Sequence, residues 1–182
     1  MRVYLPATLG MLRQLVSDGE LFPVGGTAFA VTPTLREAYA EGDDDELAEV
    51  ALGEAARASL RLLAAEAPED GEDVQGPEAQ ASDSQGSLPL RRAVIVADIE
   101  PATARPDLDD AVVRVGAPCR LDAVAAVYVD IADAEAAVRA AMAVIDEADL
   151  GDEDAELTVG DALDHDLAWY ATQELPFLLE LL

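Results

Sequence analysis

Apolar residues recur along the chain with two different periods, and the places where the period changes predict its elements. Arg2 to Leu5 reads as a short strand. Thr8 suits the N-cap of a following helix with Leu9, Leu12, Leu15 and Val16 on one side and Gly19 near its end. The run Thr27 to Val31 is long enough for a buried strand. Thr32 and Pro33 then suit a cap with proline in the first turn, and Thr34 with Glu37 offers an alternative capping box one step later. Asp43 to Glu46 favours the positive end of another helix, predicted over 45–66. Its Leu47, Ala51, Ala55, Ala58, Leu62 and Ala65 form a stripe of mostly small residues, widened by Leu52, Ala56, Leu60 and Leu63.

The pattern breaks between Pro68 and Ser87, where Val74 is the one larger aliphatic residue. Such a stretch cannot bury enough apolar area to offset its ordering entropy, so 68–89 is predicted to be a disordered acidic insert. It would divide one domain into 1–67 and 90–182. Order resumes at Arg91 to Ile99, with Ala93 to Ala97 as a buried strand, followed by a Pro-rich loop carrying Arg105 and Pro106. Ala111 to Val115 and Ala125 to Val129 are two more strands, the second introduced by a helical turn at Asp122. Helices are predicted over 134–147, with Val138, Met142 and Ile145 inward, and over 161–175, where Pro176 stops the chain before an apolar ending. The early strand–helix alternation argues for parallel crossovers, and the later close strands allow antiparallel pairing. The expected fold class is α/β, with α+β as the other form: a single domain with a mixed sheet of about five strands flanked by helices.

Composition narrows the function classes. The 182 residues carry a formal charge of −27, from 38 acidic and 11 basic side chains. That charge repels phosphate backbones and anionic lipid, so neither nucleic acid nor membrane is expected as a partner. All the basic residues are Arg; Lys and Asn are absent. A GC-rich genome would write this bias, and a halophilic origin would also explain the acidity. Without Lys there is no Walker A lysine, pyridoxal Schiff base or lysine general base. A single cysteine, Cys119, excludes an intrachain disulfide, and a single histidine, His165, excludes His-rich metal sites. No Gly-x-Ser-x-Gly elbow occurs, and neither a cofactor nor a metal is expected. No apolar run approaches the ~20 residues of a membrane span, and the first residues lack a signal peptide's apolar stretch, so a cytoplasmic location is expected.

Four places could hold chemistry. Asp98 and Asp130 each follow a predicted strand and would share one sheet edge if those strands were parallel, close enough to hold Mg²⁺. Capping or turn formation is the preferred role for both. Asp149 to Asp154 and Asp43 to Asp45 are dense in carboxylate but lack the EF-hand spacing, and read as solvated charge. On the helix predicted over 161–175, His165, Trp169 and Thr172 or Gln173 would share a face, with Tyr170 beside them. This is the best concentration of potential catalytic or ligand groups, although a packing helix is the simpler account. Arg57 and Arg61, one turn apart, could clamp an anion, but ion pairing with Glu49 and Glu54 along their own helix is simpler.

Three stretches together resemble a family of uncharacterised actinobacterial proteins, a domain of unknown function: 27–42, 55–63, and 152–176 with its ending Trp169-Tyr-Ala-Thr-Gln-Glu-Leu-Pro176. The resemblance implies no reaction, ligand or partner. The expected role is a non-enzymatic domain that binds another protein or itself through an apolar surface, such as the ending from Phe177 to Leu182. The alternative is a small enzyme or metabolite-binding domain with its site around His165 and Trp169.

Overall fold

The computed structural model describes residues 1–67 and 88–182. The segment expected to be a disordered insert lies, up to residue 87, outside the described residues.

Among the described residues, one sheet of seven strands organises the fold. Its order is β5 (Ala102–Ala104), β6 (Val112–Val115), β3 (Thr27–Phe29), β1 (Arg2–Ala7), β4 (Ala93–Asp98), β8 (Val124–Val129) and β9 (Ala168–Ala171). Two short strands, β2 (Glu20–Leu21) and β7 (Cys119–Arg120), pair separately. The six α-helices are α1 (Leu9–Asp18), α2 (Pro33–Ala38), α3 (Asp44–Glu66), α4 (Glu135–Asp149), α5 (Glu153–Leu163) and α6 (Leu175–Glu180).

The expected sheet flanked by helices is present, but every pairing in it is antiparallel, so the chain takes the α+β form. The crossover expectation assumes a single return leg between strands. After α1 the chain adds β2 and a 3-10 turn at Val24–Gly26 before β3, and this second leg goes with the reversed direction.

Side chains opposite one another across an antiparallel ladder share a face, and this divides the core. Val3, Leu5, Ile95 and Val127 face α1 and α6, burying Leu12, Leu15, Leu175, Leu178 and Leu179. Tyr4, Val94 and Tyr128 face α3 on the other side, against Leu47, Ala51 and Ala55. The second half of α3 leaves the sheet and packs Leu60 and Leu63 against Val138 and Ile145 of α4 and Val159 of α5. Because α3 serves two surfaces in turn, its buried stripe is not the one expected from spacing: Ala65 is exposed, and Ser59 is buried in its place. The Ser59 hydroxyl donates to the Ala7 carbonyl at 2.7 Å and accepts from the Ala93 N–H at 3.1 Å, fastening α3 to the ends of β1 and β4.

Local signals explain most boundaries. Thr8 and Thr32 cap α1 and α2 as expected, and Gly19 ends α1 in the left-handed conformation. Asp43 and Glu46 form a reciprocal capping box at α3. The C-terminal quarter differs from expectation. Asp152 is an N-cap, with Glu153, Asp154 and Glu156 in the first turn of α5, so this acidic run begins a helix. The helix predicted over 161–175 is instead the end of α5, a loop and the strand β9, whose Trp169 and Tyr170 are strand formers. Pro176 stands in the first turn of α6 and starts a helix there.

Candidate functional site

A groove of about 670 Å³ lies between α3 and the segment joining α5 to β9. That volume falls within the range of about 300–1,000 Å³ typical of small-molecule sites. Val50, Leu52 and Ala56 on the α3 side and Leu163 and Leu167 on the other give it apolar walls. Its polar groups are Glu49, Glu54, Arg57, Arg92, His165 and Asp166. Gly53 lies mid-helix in this wall, and a Cβ added there would meet nothing within 4 Å.

Arg92 closes the bottom. It precedes β4, and Asp130 follows β8; the antiparallel register that pairs Ala93 with Val129 brings the two side by side. Their side chains are 1% and 0% exposed. Asp130 accepts from Arg92 Nε at 2.8 Å, from Nη2 at 2.7 Å and from the Arg92 backbone N–H at 2.8 Å. Arg92 Nη2 also donates to the His165 carbonyl at 2.8 Å, which fixes the loop that carries the histidine. The His165 ring itself has no hydrogen-bond partner among the described residues.

Arg57 is held at the rim. It donates to Glu156 at 2.8 and 3.3 Å and to Asp149 at 3.2 Å, and Arg61 grips the same Asp149 at 2.7 and 2.9 Å. The ion pairs of these arginines therefore join α3 to α4 and α5, correcting the expectation of pairing with Glu49 and Glu54 within α3. The hydrogen bond from Arg61 is the main reason the Asp149 carboxyl is held below the usual range.

Glu54 is the opposite case. No ion pair or hydrogen bond reaches it, Glu49 or Asp166 among the described residues. Burial raises the Glu54 pKa first, and the nearby Asp109 adds to the effect, against the pull of Arg57 and Arg61.

The other expected site residues are dispersed. Asp98 and Asp130 stand at opposite ends of β4 and β8, since the two strands are antiparallel, and the six steps along the chain from Arg92, beside Asp130, to Asp98 span roughly 20 Å. Asp98 is paired with Arg2 at 3.0 and 3.2 Å on the surface, and that hydrogen bond lowers its pKa. A shared Mg²⁺ site at these two acids is thereby overturned. Trp169 and Tyr170 are successive residues of β9 and point to opposite faces. Trp169 is exposed outside the groove, while Tyr170 packs on the core beside α6. Gln173 is exposed in the 3-10 turn after β9. His165 does not share a helical face with any of them. Cys119 is buried, and desolvation pushes its thiol up to about 11, away from the reactive thiolate.

Sequence reasoning missed Arg92, Glu54 and Gly53 as parts of one site. Two signals were present: a charge abutting each of two buried apolar runs, and a glycine interrupting an Ala-rich helix.

In chemical terms the groove offers apolar walls and carboxylates, of which Glu54 has its pKa raised by burial. The described residues that line it include no hydroxyl or thiol to act as a nucleophile. No helix among the described residues is long and apolar enough to cross a membrane. No curated protein and no solved structure matches the chain. A family model does match, over residues 1–179, and on that ground the chain belongs to the family of unknown function DUF6912.

Proposed function

We propose that the groove beside α3 binds a small organic cation, an amine or guanidine with an apolar body, and that the domain acts by binding rather than by covalent catalysis. The supporting observation is which charges are already engaged. Arg57 and Arg92 are already ion-paired with Asp149, Glu156 and Asp130, so an anion entering the groove would compete with carboxylates in place. Glu49, Glu54 and Asp166 are the charges left over. A cation placed among them would gain Coulomb energy in a partly desolvated site and relieve the unfavourable burial of Glu54. The apolar walls would hold its body, and the unpartnered His165 ring could accept one of its N–H groups.

Calorimetric titration with benzylamine and, separately, benzoate tests this. Benzylamine should bind and benzoate should not, and Gly53→Leu, which fills the groove from its open side, should abolish the heat of binding. Preference for benzoate would overturn the proposal. A protein-binding role has its own support, weaker than expected from the apolar ending. Leu178 and Leu179 of that ending are core, whereas Phe177 and Leu181 remain exposed.

A further inference from the structure

The two edges of the main sheet differ in how they are protected. The β5 edge is three residues long, preceded by Pro101 and followed by Arg105 and Pro106. Short length, proline and charge are the usual means by which an edge resists pairing with another chain. The β9 edge is also short, at four residues, but it carries no proline or charged residue within it or immediately beside it. Among the described residues it pairs with β8 alone, and its residues are Ala168, Trp169, Tyr170 and Ala171. Trp169 is 58% exposed.

The backbone of β9 is also oriented for pairing. The Ala171 N–H turns to the Glu174 carboxylate at 2.7 Å. Alternate residues of an antiparallel ladder turn their backbone groups to the same side, so the Trp169 N–H and C=O stand on the open edge with it. The charged residues that flank β9 along the chain are of one sign. Asp164 and Asp166 precede β9, Glu174 and Glu180 follow it, and no arginine occurs from residue 140 to the end of the sequence.

We infer that β9 is a strand-addition site for an extended basic segment of a partner protein. The partner would continue the seven-stranded sheet through backbone hydrogen bonds, cover Trp169 with an alternate side chain, and set Arg or Lys residues against the flanking carboxylates. A second copy of this chain is the disfavoured occupant, because each copy brings a charge of −27. The residues of β9 itself do not line the groove, although Asp166, two residues before β9, does.

Trp169 is the chain's only tryptophan, so its emission reports on this edge alone. The full chain is titrated with a blocked peptide of alternating arginine and valine, and with the same peptide interrupted by prolines. The alternating peptide should shift Trp169 emission to shorter wavelength and slow hydrogen exchange at the Trp169 amide; the proline-interrupted peptide should do neither. Trp169→Ala, at an exposed position that leaves the fold intact, should weaken binding by roughly tenfold or more in calorimetry, as removal of an aromatic anchor does. Equal binding of the two peptides would reduce the effect to charge alone and overturn the inference. So would the absence of binding, or a concentration-dependent dimer that produces the same emission shift without peptide.

Discussion

Arg92 and Arg57 both line the groove and both meet carboxylates, yet their surroundings differ sharply. Arg92 is sealed against one partner, Asp130, with every hydrogen bond internal to the pair and to the His165 carbonyl. Arg57 has two partners at the rim, Asp149, which it shares with Arg61, and Glu156, and the side chains of these acids are 30% and 45% exposed. Burial makes the first pair costly to break, because a lone buried charge cannot recover its solvation. Solvent makes the second cheap to break, because water replaces most of what is lost. The pair at the bottom therefore holds the shape of the groove, and the network at the rim trims three helices together. Neither leaves a cation free, and it is this shared outcome that gives the groove its acidic character.

Substitutions can break the comparison from its strong end to its weak one. Arg92→Met should cost about 3–5 kcal/mol in urea denaturation, since the Asp130 carboxylate is left buried without its charged partner. Adding Asp130→Leu should recover much of that loss. If the double variant is no more stable than the single one, the Arg92–Asp130 pair does not act as an isolated buried couple. Asp149→Asn should cost about 1 kcal/mol at neutral pH. The Asp149 pKa is depressed in the folded state, so its contribution is present above the unfolded pKa and is lost as pH falls through the folded one. Denaturation of the parent and Asp149→Asn should therefore converge in acid.

On the α3 wall the signs reverse. Gly53→Ala should stabilise the protein by about 0.5–1 kcal/mol, since a mid-helix glycine is replaced where the new Cβ meets nothing. Thermal melts check it. The smallest effect belongs to Glu54→Gln. The Glu54 pKa is raised, so protonation favours the folded state and the ionised form opposes it at neutral pH. Removing the charge should stabilise by no more than about 0.5 kcal/mol, because the group is only partly buried and water screens it. The gain should vanish as pH falls through the raised pKa, and benzylamine affinity should weaken over the same range.

Local chemistry made much of the fold legible. The caps at Thr8, Thr32 and Asp43 and the apolar run Ala93 to Ala97 fix their elements by interactions a few residues long, and these the sequence displays directly. Strand direction is different, because it depends on which ends of the chain meet. Asp98 and Asp130 looked like a pair for that reason, and antiparallel pairing separates them. The segment from Asp152 to Pro176 misled for a related cause. Spacing alone allows Leu167, Trp169 and Tyr170 to continue a helix, and only the open side of β8 draws them into a strand. His165 was legible only as a candidate, by its rarity. Its companions were not, since Arg92 and Glu54 are 73 and 111 positions away and meet it through the packing of α3 on the sheet.

The most direct test of the groove's preference uses the chain's single histidine. The His165 ring gives one set of imidazole resonances in an NMR spectrum, to be followed while benzylamine and then benzoate are added at constant pH. A cation site predicts saturable shifts of those resonances with benzylamine, lost in Gly53→Leu, and none with benzoate. Shifts with benzoate in place of benzylamine would contradict the account, and so would shifts with benzylamine that survive in Gly53→Leu.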